Sequence, residues 1–72
     1  MNGNMLRATM ILNGERGGQL AEAMSLSYQR LSAKLNETKG AQFTQREIAF
    51  IKDRYKLTAE QVDEIFFTKK VS

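Results

Sequence analysis

Two short strings, TQRE at residues 44–47 and TAEQ at residues 58–61, constrain the fold of this chain most. In each string a threonine stands three positions before a glutamate or a glutamine, which is the spacing of a capping box. The threonine hydroxyl and the later side chain can then satisfy two unpaired backbone N–H groups at the start of a helix. The sequence therefore predicts helices that begin directly after Thr44 and Thr58.

Apolar residues recur at helical rather than alternating spacing along the chain, so we predict an all-α fold of five helices. The first three helices are expected over about residues 5–13, 17–24 and 28–36, with Ser27 as the N-cap of the third. The inward-facing positions of the five helices are predicted to be Leu6, Met10, Asn13, Leu20, Ala21, Met24, Leu31, Leu35, Ile48, Ile51, Tyr55, Val62, Ile65 and Phe66.

A chain of 72 residues has no room for five long helices. We therefore expect a compact orthogonal packing in a single domain, with a loop at residues 36–42 and a flexible tail at residues 68–72. Phe66 and Phe67 are adjacent on a helix and point about 100° apart, so one of them is expected to face away from the core. That residue is a candidate dimer or partner contact, and a homodimer is one possible assembly for so small a domain.

The composition excludes several kinds of site. The chain has no cysteine and no histidine, which removes disulfides, zinc–thiolate sites and the usual general base at neutral pH. The one cluster of carboxylates, Glu60, Asp63 and Glu64, is accompanied by no nucleophile or phosphate loop and is interpreted as a solvated face. We expect no catalysis, no cofactor and no metal. No segment has the length and apolarity of a signal peptide or membrane span, so a cytoplasmic protein without a membrane partner is predicted.

The charge is concentrated in the middle of the chain. The net charge is +3, and residues 27–56 carry seven lysines and arginines against three carboxylates. A basic middle is compatible with nucleic-acid binding, because attraction to phosphates supplies most non-specific affinity. It is equally typical of a small soluble domain, so the charge alone does not decide the partner.

Residues 17–36 have the pattern of a helix-turn-helix, in which two short helices cross through a tight turn. Ala21 is the small residue that allows the helices to approach each other, and Leu26 fills the turn. Leu31 and Leu35 anchor the second helix of the pair. The outward side of that helix, where such motifs meet their target, then carries Tyr28, Gln29, Ser32 and Ala33, with Arg30 and Lys34 at its flanks.

The pairs Leu20-Ala21, Leu26-Ser27, Leu31-Ser32 and Leu35-Asn36 resemble the helix-turn-helix of the Cro and C1-type phage regulators. The later strings FTQREI and YKLTAEQVDEIFF are similar to a subgroup from phages of Gram-positive bacteria, so the resemblance covers about residues 6–67. It implies a regulator in the cytoplasm of a bacterial host, either a Cro-like DNA-binding repressor or an antirepressor of the lysis–lysogeny switch.

Two adjacent positions depart from the family pattern and separate these two hypotheses. Family members commonly open the second helix with Thr-Gln, whose glutamine reaches a DNA phosphate, whereas this chain has Arg16 and Gly17 there. The loss of that phosphate contact favours an antirepressor that binds the phage repressor, through the repressor's N-terminal DNA-binding domain, with operator DNA as the alternative target. The predicted partner- or DNA-binding residues are Arg16, Gly17, Gly18, Gln19, Tyr28, Gln29, Arg30, Ser32, Ala33 and Lys34.

Overall fold

In the computed structural model, which describes residues 1–67, these residues form five α-helices and no strand. The all-helical prediction is confirmed. The helices are α1 (Gly3–Leu12), α2 (Gly17–Ala23), α3 (Tyr28–Asn36), α4 (Gln45–Tyr55) and α5 (Ala59–Val62), and α5 continues as a wider π-helical turn over Asp63–Phe67. The flexible tail predicted for residues 68–72 lies outside the described residues.

The helix starts follow from the capping residues. The backbone N–H of Thr44 donates to Glu47 Oε1 at 2.8 Å, and the N–H of Glu47 donates to Thr44 Oγ1 at 3.1 Å. Thr58 and Gln61 make the same reciprocal pair at 2.8 and 3.1 Å. Both predicted capping boxes are thus confirmed, and α4 and α5 begin where the sequence places them.

Three boundaries differ from the prediction. Helix α1 begins at Gly3 rather than near residue 5, because Asn2 caps it by accepting a hydrogen bond from the N–H of Met5 at 3.0 Å. It ends at Leu12, so Asn13 is an exposed C-cap and not an inward-facing residue. Helix α2 ends at Ala23, one residue early, and the loop at residues 36–42 contains a short 3₁₀ turn over Thr38–Gly40.

The core draws one fully buried side chain from each helical segment: Leu6, Leu20, Leu31, Ile51 and Ile65. Apart from Asn13, the other predicted inward positions are buried too, except that Met24 and Ile48 are half-buried against this cluster. Phe66 is buried, with its ring edge-on to that of Phe43 at a centroid distance of 5.7 Å, whereas Phe67 is 62% exposed. The prediction that one of these two phenylalanines faces outward is confirmed, and its role as a dimer contact stays a prediction.

Helix α1 packs tightly against the end of α3. A Cβ added to Gly3 would lie 2.5 Å from the carbonyl oxygen of Leu35, so only glycine permits this approach of the two backbones. One turn later, Arg7 Nη2 donates to Asn36 Oδ1 at 2.8 Å. These contacts hold α1 alongside α3 and thereby form one wall of the candidate site.

Candidate functional site

Helices α2 and α3 are joined by a four-residue connection at residues 24–27. The N–H of Leu26 donates to the carbonyl of Ala21 at 2.8 Å, which folds the chain back onto α2 at its small, buried residue. Ser25 has a left-handed backbone with φ of 58°, and Ser27 Oγ accepts a hydrogen bond from the N–H of Arg30 at 3.1 Å. The predicted cap and span of α3 are confirmed, and these contacts fix the direction in which α3 leaves the turn.

The outward face of α3 is formed by its first turn. Tyr28 is 61% exposed, and Gln29 and Arg30 beside it are exposed as well. Ser32 and Ala33 are half-buried, and Ser32 Oγ accepts a hydrogen bond from Asn36 Nδ2 at 3.3 Å. The groups most available to a partner are therefore the aromatic ring, the amide and the guanidinium of residues 28–30.

Gly17, the first residue of α2, lies under the ring of Tyr28. A Cβ added to Gly17 would come within 2.8 Å of Tyr28 Cε1, closer than real Cβ contacts allow. A Cβ added to the neighbouring Gly18 would have no heavy atom within 4 Å. Gly17 therefore sets the position of an exposed aromatic side chain, whereas Gly18 borders open space.

The start of α2 is capped from only one side. Gln19 Oε1 accepts a hydrogen bond from the N–H of Arg16 at 2.8 Å, so the Gln19 amide is folded back onto its own helix. The guanidinium of Arg16 contains only donor groups, so it cannot accept a hydrogen bond from the N–H of Gln19 and complete a capping box. Arg16 is exposed, so its charge is available at the surface.

Lys34 is placed differently from the other predicted site residues. Its Nζ lies 2.6 Å from Glu47 Oε1 on α4, 3.3 Å from the Gln42 carbonyl and 5.9 Å from the centre of the Phe43 ring. Partial burial alone would raise the pKa of Glu47, but the hydrogen bonds from Lys34 and Thr44 outweigh it and lower that pKa below the ordinary value for glutamate. The ammonium of Lys34 thus holds α3 against α4, and its charge is neutralised within the fold.

A cleft with a volume of about 490 Å³ opens beside Tyr28, between α1 and α3. Its lining is mainly apolar, and Met10 and Leu35 are buried side chains that line it. Ile11 lines it as well and remains 72% exposed. The remaining lining residues are Arg7, Glu15, Arg16, Gly17, Tyr28 and Ser32. The cleft therefore brings together four of the predicted site residues: Arg16, Gly17, Tyr28 and Ser32.

The only carboxylate that lines this cleft is already paired. Glu15 forms a two-pronged ion pair with Arg54 of α4, with Arg54 Nε donating to Glu15 Oε1 at 2.8 Å. The hydrogen bond from Arg54 is the main reason that the pKa of Glu15 lies below 4.5. Burial raises the pKa of the adjacent Tyr55 hydroxyl, and the Glu15 carboxylate raises it further. Glu15 therefore contributes little net negative charge to the cleft.

Sequence reasoning did not place Ile11 or Arg7 in the site, and it did not predict that Glu15 pairs with Arg54. The run Met10-Ile11-Leu12 carried a usable signal, since three successive residues on a helix cannot all face one core. Leu12 is indeed 87% exposed and does not line the cleft. The pairing of Glu15 with Arg54 spans 39 positions and had no local signal.

In comparisons with known proteins, no family model, no curated protein and no solved structure gives a significant match to this chain. Within residues 1–67 there is no helix long and apolar enough to cross a bilayer. The same residues contain no group of three or more acidic side chains placed to hold a metal ion.

Proposed function

We propose that this chain regulates transcription in the lysis–lysogeny switch of a temperate phage by acting as an antirepressor. It binds the phage repressor through the surface of α2 and α3, used as a helix-turn-helix of the Cro and C1 type, and alters the binding of the repressor to its operator. The support from sequence is the family resemblance of residues 6–67, together with a length and sequence similar to the modulator of repression of lactococcal temperate phages.

The observation that carries the choice of a protein partner is the aromatic and apolar character of the surface around α3. Tyr28 is 61% exposed over Gly17, and Ile11 is 72% exposed at the adjoining cleft. Exposed aromatic side chains beside an apolar cleft are typical of protein interfaces. Interfaces with DNA are instead much more positively charged and rely on many contacts to phosphates.

The phosphate-binding capacity of this surface is small. Of its three predicted cations, Lys34 is neutralised by Glu47, which leaves Arg16 and Arg30. Gly17 stands where the Cro and C1-type regulators commonly have a phosphate-binding glutamine, and the Oε1 of the nearby Gln19 accepts a hydrogen bond from the N–H of Arg16. Together with Arg7 at the adjoining cleft, Arg16 and Arg30 give three guanidinium groups without an ion pair within residues 1–67, which supply little of the counterion release that drives tight DNA binding.

One observation favours the second candidate, a Cro-like repressor that inserts α3 into the major groove. Gln29 and Arg30 are both exposed in the first turn of α3, and these side chains can pair with adenine and guanine edges. This hypothesis predicts tight binding to the operator by the chain alone. It also predicts a steep loss of affinity as salt rises, because phosphate contacts release counterions.

The test compares two double variants, since the dipeptide Gln-Arg occurs both at residues 29–30 and at residues 45–46. Gln29→Ala with Arg30→Ala alters the first turn of α3, and Gln45→Ala with Arg46→Ala makes the same change in the first turn of α4, where both residues are also exposed. Binding to the N-terminal domain of the repressor of the same phage, and separately to operator DNA, is measured over a salt series. We expect the α3 variant to weaken repressor binding at least about tenfold, and the α4 variant to bind normally.

The two candidates give opposite results in this experiment. Tight and salt-dependent binding to the operator by the chain alone, without affinity for the repressor domain, would exclude the antirepressor and support the Cro-like repressor. A repressor complex that loses affinity equally in both variants would contradict the assignment of the α3 surface.

A further inference from the structure

We propose that the cleft between α1 and α3 receives a large apolar side chain from a helix of the repressor, and that the same helix places a carboxylate beside Arg16. The inference rests on the proposed function, and it names a contact that the helix-turn-helix pattern does not contain. It concerns the part of the surface formed by α1, next to the first turn of α3.

The shape of the cleft fits an inserted side chain. Met10 and Leu35 are buried residues of its lining, while Ile11 and Tyr28 line it and stay largely exposed. Its volume of about 490 Å³ leaves ample room for one large side chain to enter from the open side. An apolar side chain seated there would remove Ile11 and the Tyr28 ring from water, which the fold by itself does not do.

The charges at the cleft indicate the second property of the partner. Glu15 is neutralised by Arg54, so it does not balance the two arginines that line the cleft. Arg7 is held by the neutral side chains of Asn4 and Asn36. Neither Arg7 nor Arg16 forms an ion pair within residues 1–67, and the cleft therefore has an excess of positive charge.

A helix satisfies both requirements with one face. Residues three or four positions apart on a helix are neighbours, so an apolar side chain and a carboxylate at that spacing can reach the cleft and Arg16 together. Charge complementarity of this kind selects a partner and speeds its association, while the buried apolar group supplies most of the affinity. An acidic, amphipathic helix of the repressor domain is therefore the occupant that this cleft fits.

The apolar contact is tested with two adjacent residues of α1. Ile11→Ala and Leu12→Ala remove exposed aliphatic side chains from one helix, but only Ile11 lines the cleft. In calorimetric titrations with the repressor domain, Ile11→Ala is expected to weaken binding about tenfold and Leu12→Ala less than twofold. Because both side chains are exposed, neither change should move the thermal unfolding temperature appreciably.

The charged contact is tested with Arg16→Gln against Arg46→Gln, a matched change at an exposed arginine of α4. Arg16→Gln is expected to slow association with the repressor domain about three- to tenfold at low salt, with the difference shrinking as salt rises. Arg46→Gln should leave the association rate unchanged.

The outcomes separate this inference from the proposed function. If the unaltered chain forms no complex with the repressor domain, the proposed function fails and this inference fails with it. If the complex forms and is weakened by Gln29→Ala with Arg30→Ala but not by Ile11→Ala, only the cleft contact is overturned. Equal losses from Ile11→Ala and Leu12→Ala, or a dimer of this chain that Ile11→Ala dissociates, would also overturn it.

Discussion

Gly17 and Gly18 are neighbours in sequence but have different surroundings, and this difference can be measured. A methyl group on Gly17 would collide with the ring of Tyr28, whereas a methyl group on Gly18 would meet nothing within 4 Å. Since Tyr28 is exposed and its side chain can rotate away, the collision should displace the ring rather than unfold the domain. Gly17 is therefore interpreted as a positioning residue for Tyr28.

We expect Gly17→Ala to lower the affinity for the repressor domain about five- to tenfold, an effect that corresponds to about 1–1.4 kcal/mol. Gly18→Ala should bind normally. Both variants should be as stable as the original chain or slightly more stable, because alanine favours helix over glycine. Titration calorimetry and thermal unfolding of the two variants check this, and a Gly17→Ala protein with unchanged affinity would contradict the role assigned to Tyr28.

Ser25 is a second residue whose backbone can be tested. It lies exposed in the turn between α2 and α3 with φ of 58°, a left-handed conformation that glycine adopts more easily than serine. Ser25→Gly should raise the free energy of unfolding by about 0.5–1 kcal/mol, and Ser25→Ala should not, since alanine also has a Cβ. Urea denaturation of the two variants measures the difference, and equal stabilities would show that the turn is not strained.

Helix α3 has one face that packs against the rest of the fold and one that is exposed. Lys34 is 15% exposed and pairs with Glu47 on α4, whereas Arg30 is exposed and forms no ion pair within residues 1–67. We expect Lys34→Gln to lower the free energy of unfolding by about 0.5–1 kcal/mol, because it leaves a partly buried carboxylate unpaired. Arg30→Gln should change it by less than about 0.5 kcal/mol. Thermal unfolding of the two variants measures the difference. A larger loss of stability from Arg30→Gln than from Lys34→Gln would contradict the assignment of Lys34, and not Arg30, to the packed face of α3.

The helical elements could be predicted from sequence because their signals are local. The caps at Thr44 and Thr58 each involve a partner three residues away, so their boundaries were predicted correctly. Asn2 caps α1 through the same spacing, but it has no glutamate or glutamine at the third position to mark a box, and the start of α1 was placed too late. The alternation of buried and exposed positions on α4 follows directly from the helical period.

The parts of the site that could not be predicted depend on how the chain folds back on itself. The position of the Tyr28 ring over Gly17 depends on the turn between α2 and α3. The contacts of Lys34 with Glu47 and of Glu15 with Arg54 join residues 13 and 39 positions apart, and no periodic pattern encodes such pairs. The cleft likewise appears only when α1 is packed beside α3. Lys34 was predicted to be a binding residue because no local pattern in the sequence reveals its ion pair with Glu47.

For the whole molecule, the two carboxylates that tie α4 to the rest of the fold make stability depend on pH. The pKa values of Glu15 and Glu47 are both lower in the folded state than the ordinary value for glutamate. For Glu15 the main cause is the hydrogen bond from Arg54. For Glu47, partial burial raises the pKa, but the hydrogen bonds from Lys34 and Thr44 outweigh it. A carboxylate with a lowered pKa stabilises the fold above its unfolded pKa, and this stabilisation is lost as the pH falls through the folded pKa.

We therefore expect the urea midpoint to be level near neutral pH and to fall as the pH decreases below about 4.5. Glu15→Gln and Glu47→Gln should each lower the midpoint at neutral pH and make its fall in acid less steep. Urea denaturation between pH 7 and pH 3 measures both effects. A midpoint that is independent of pH in this interval would contradict the two ion pairs.

We propose that this chain acts on a repressor rather than on DNA. The most direct measurement is the binding of operator DNA by the phage repressor, at constant salt, with increasing amounts of this chain and with the chain alone as a control. We predict that the chain changes the apparent affinity of the repressor for its operator, that the variant with Gln29→Ala and Arg30→Ala does not, and that the chain alone leaves the operator free. Binding of the operator by the chain alone, with an unchanged repressor isotherm, would exclude the antirepressor.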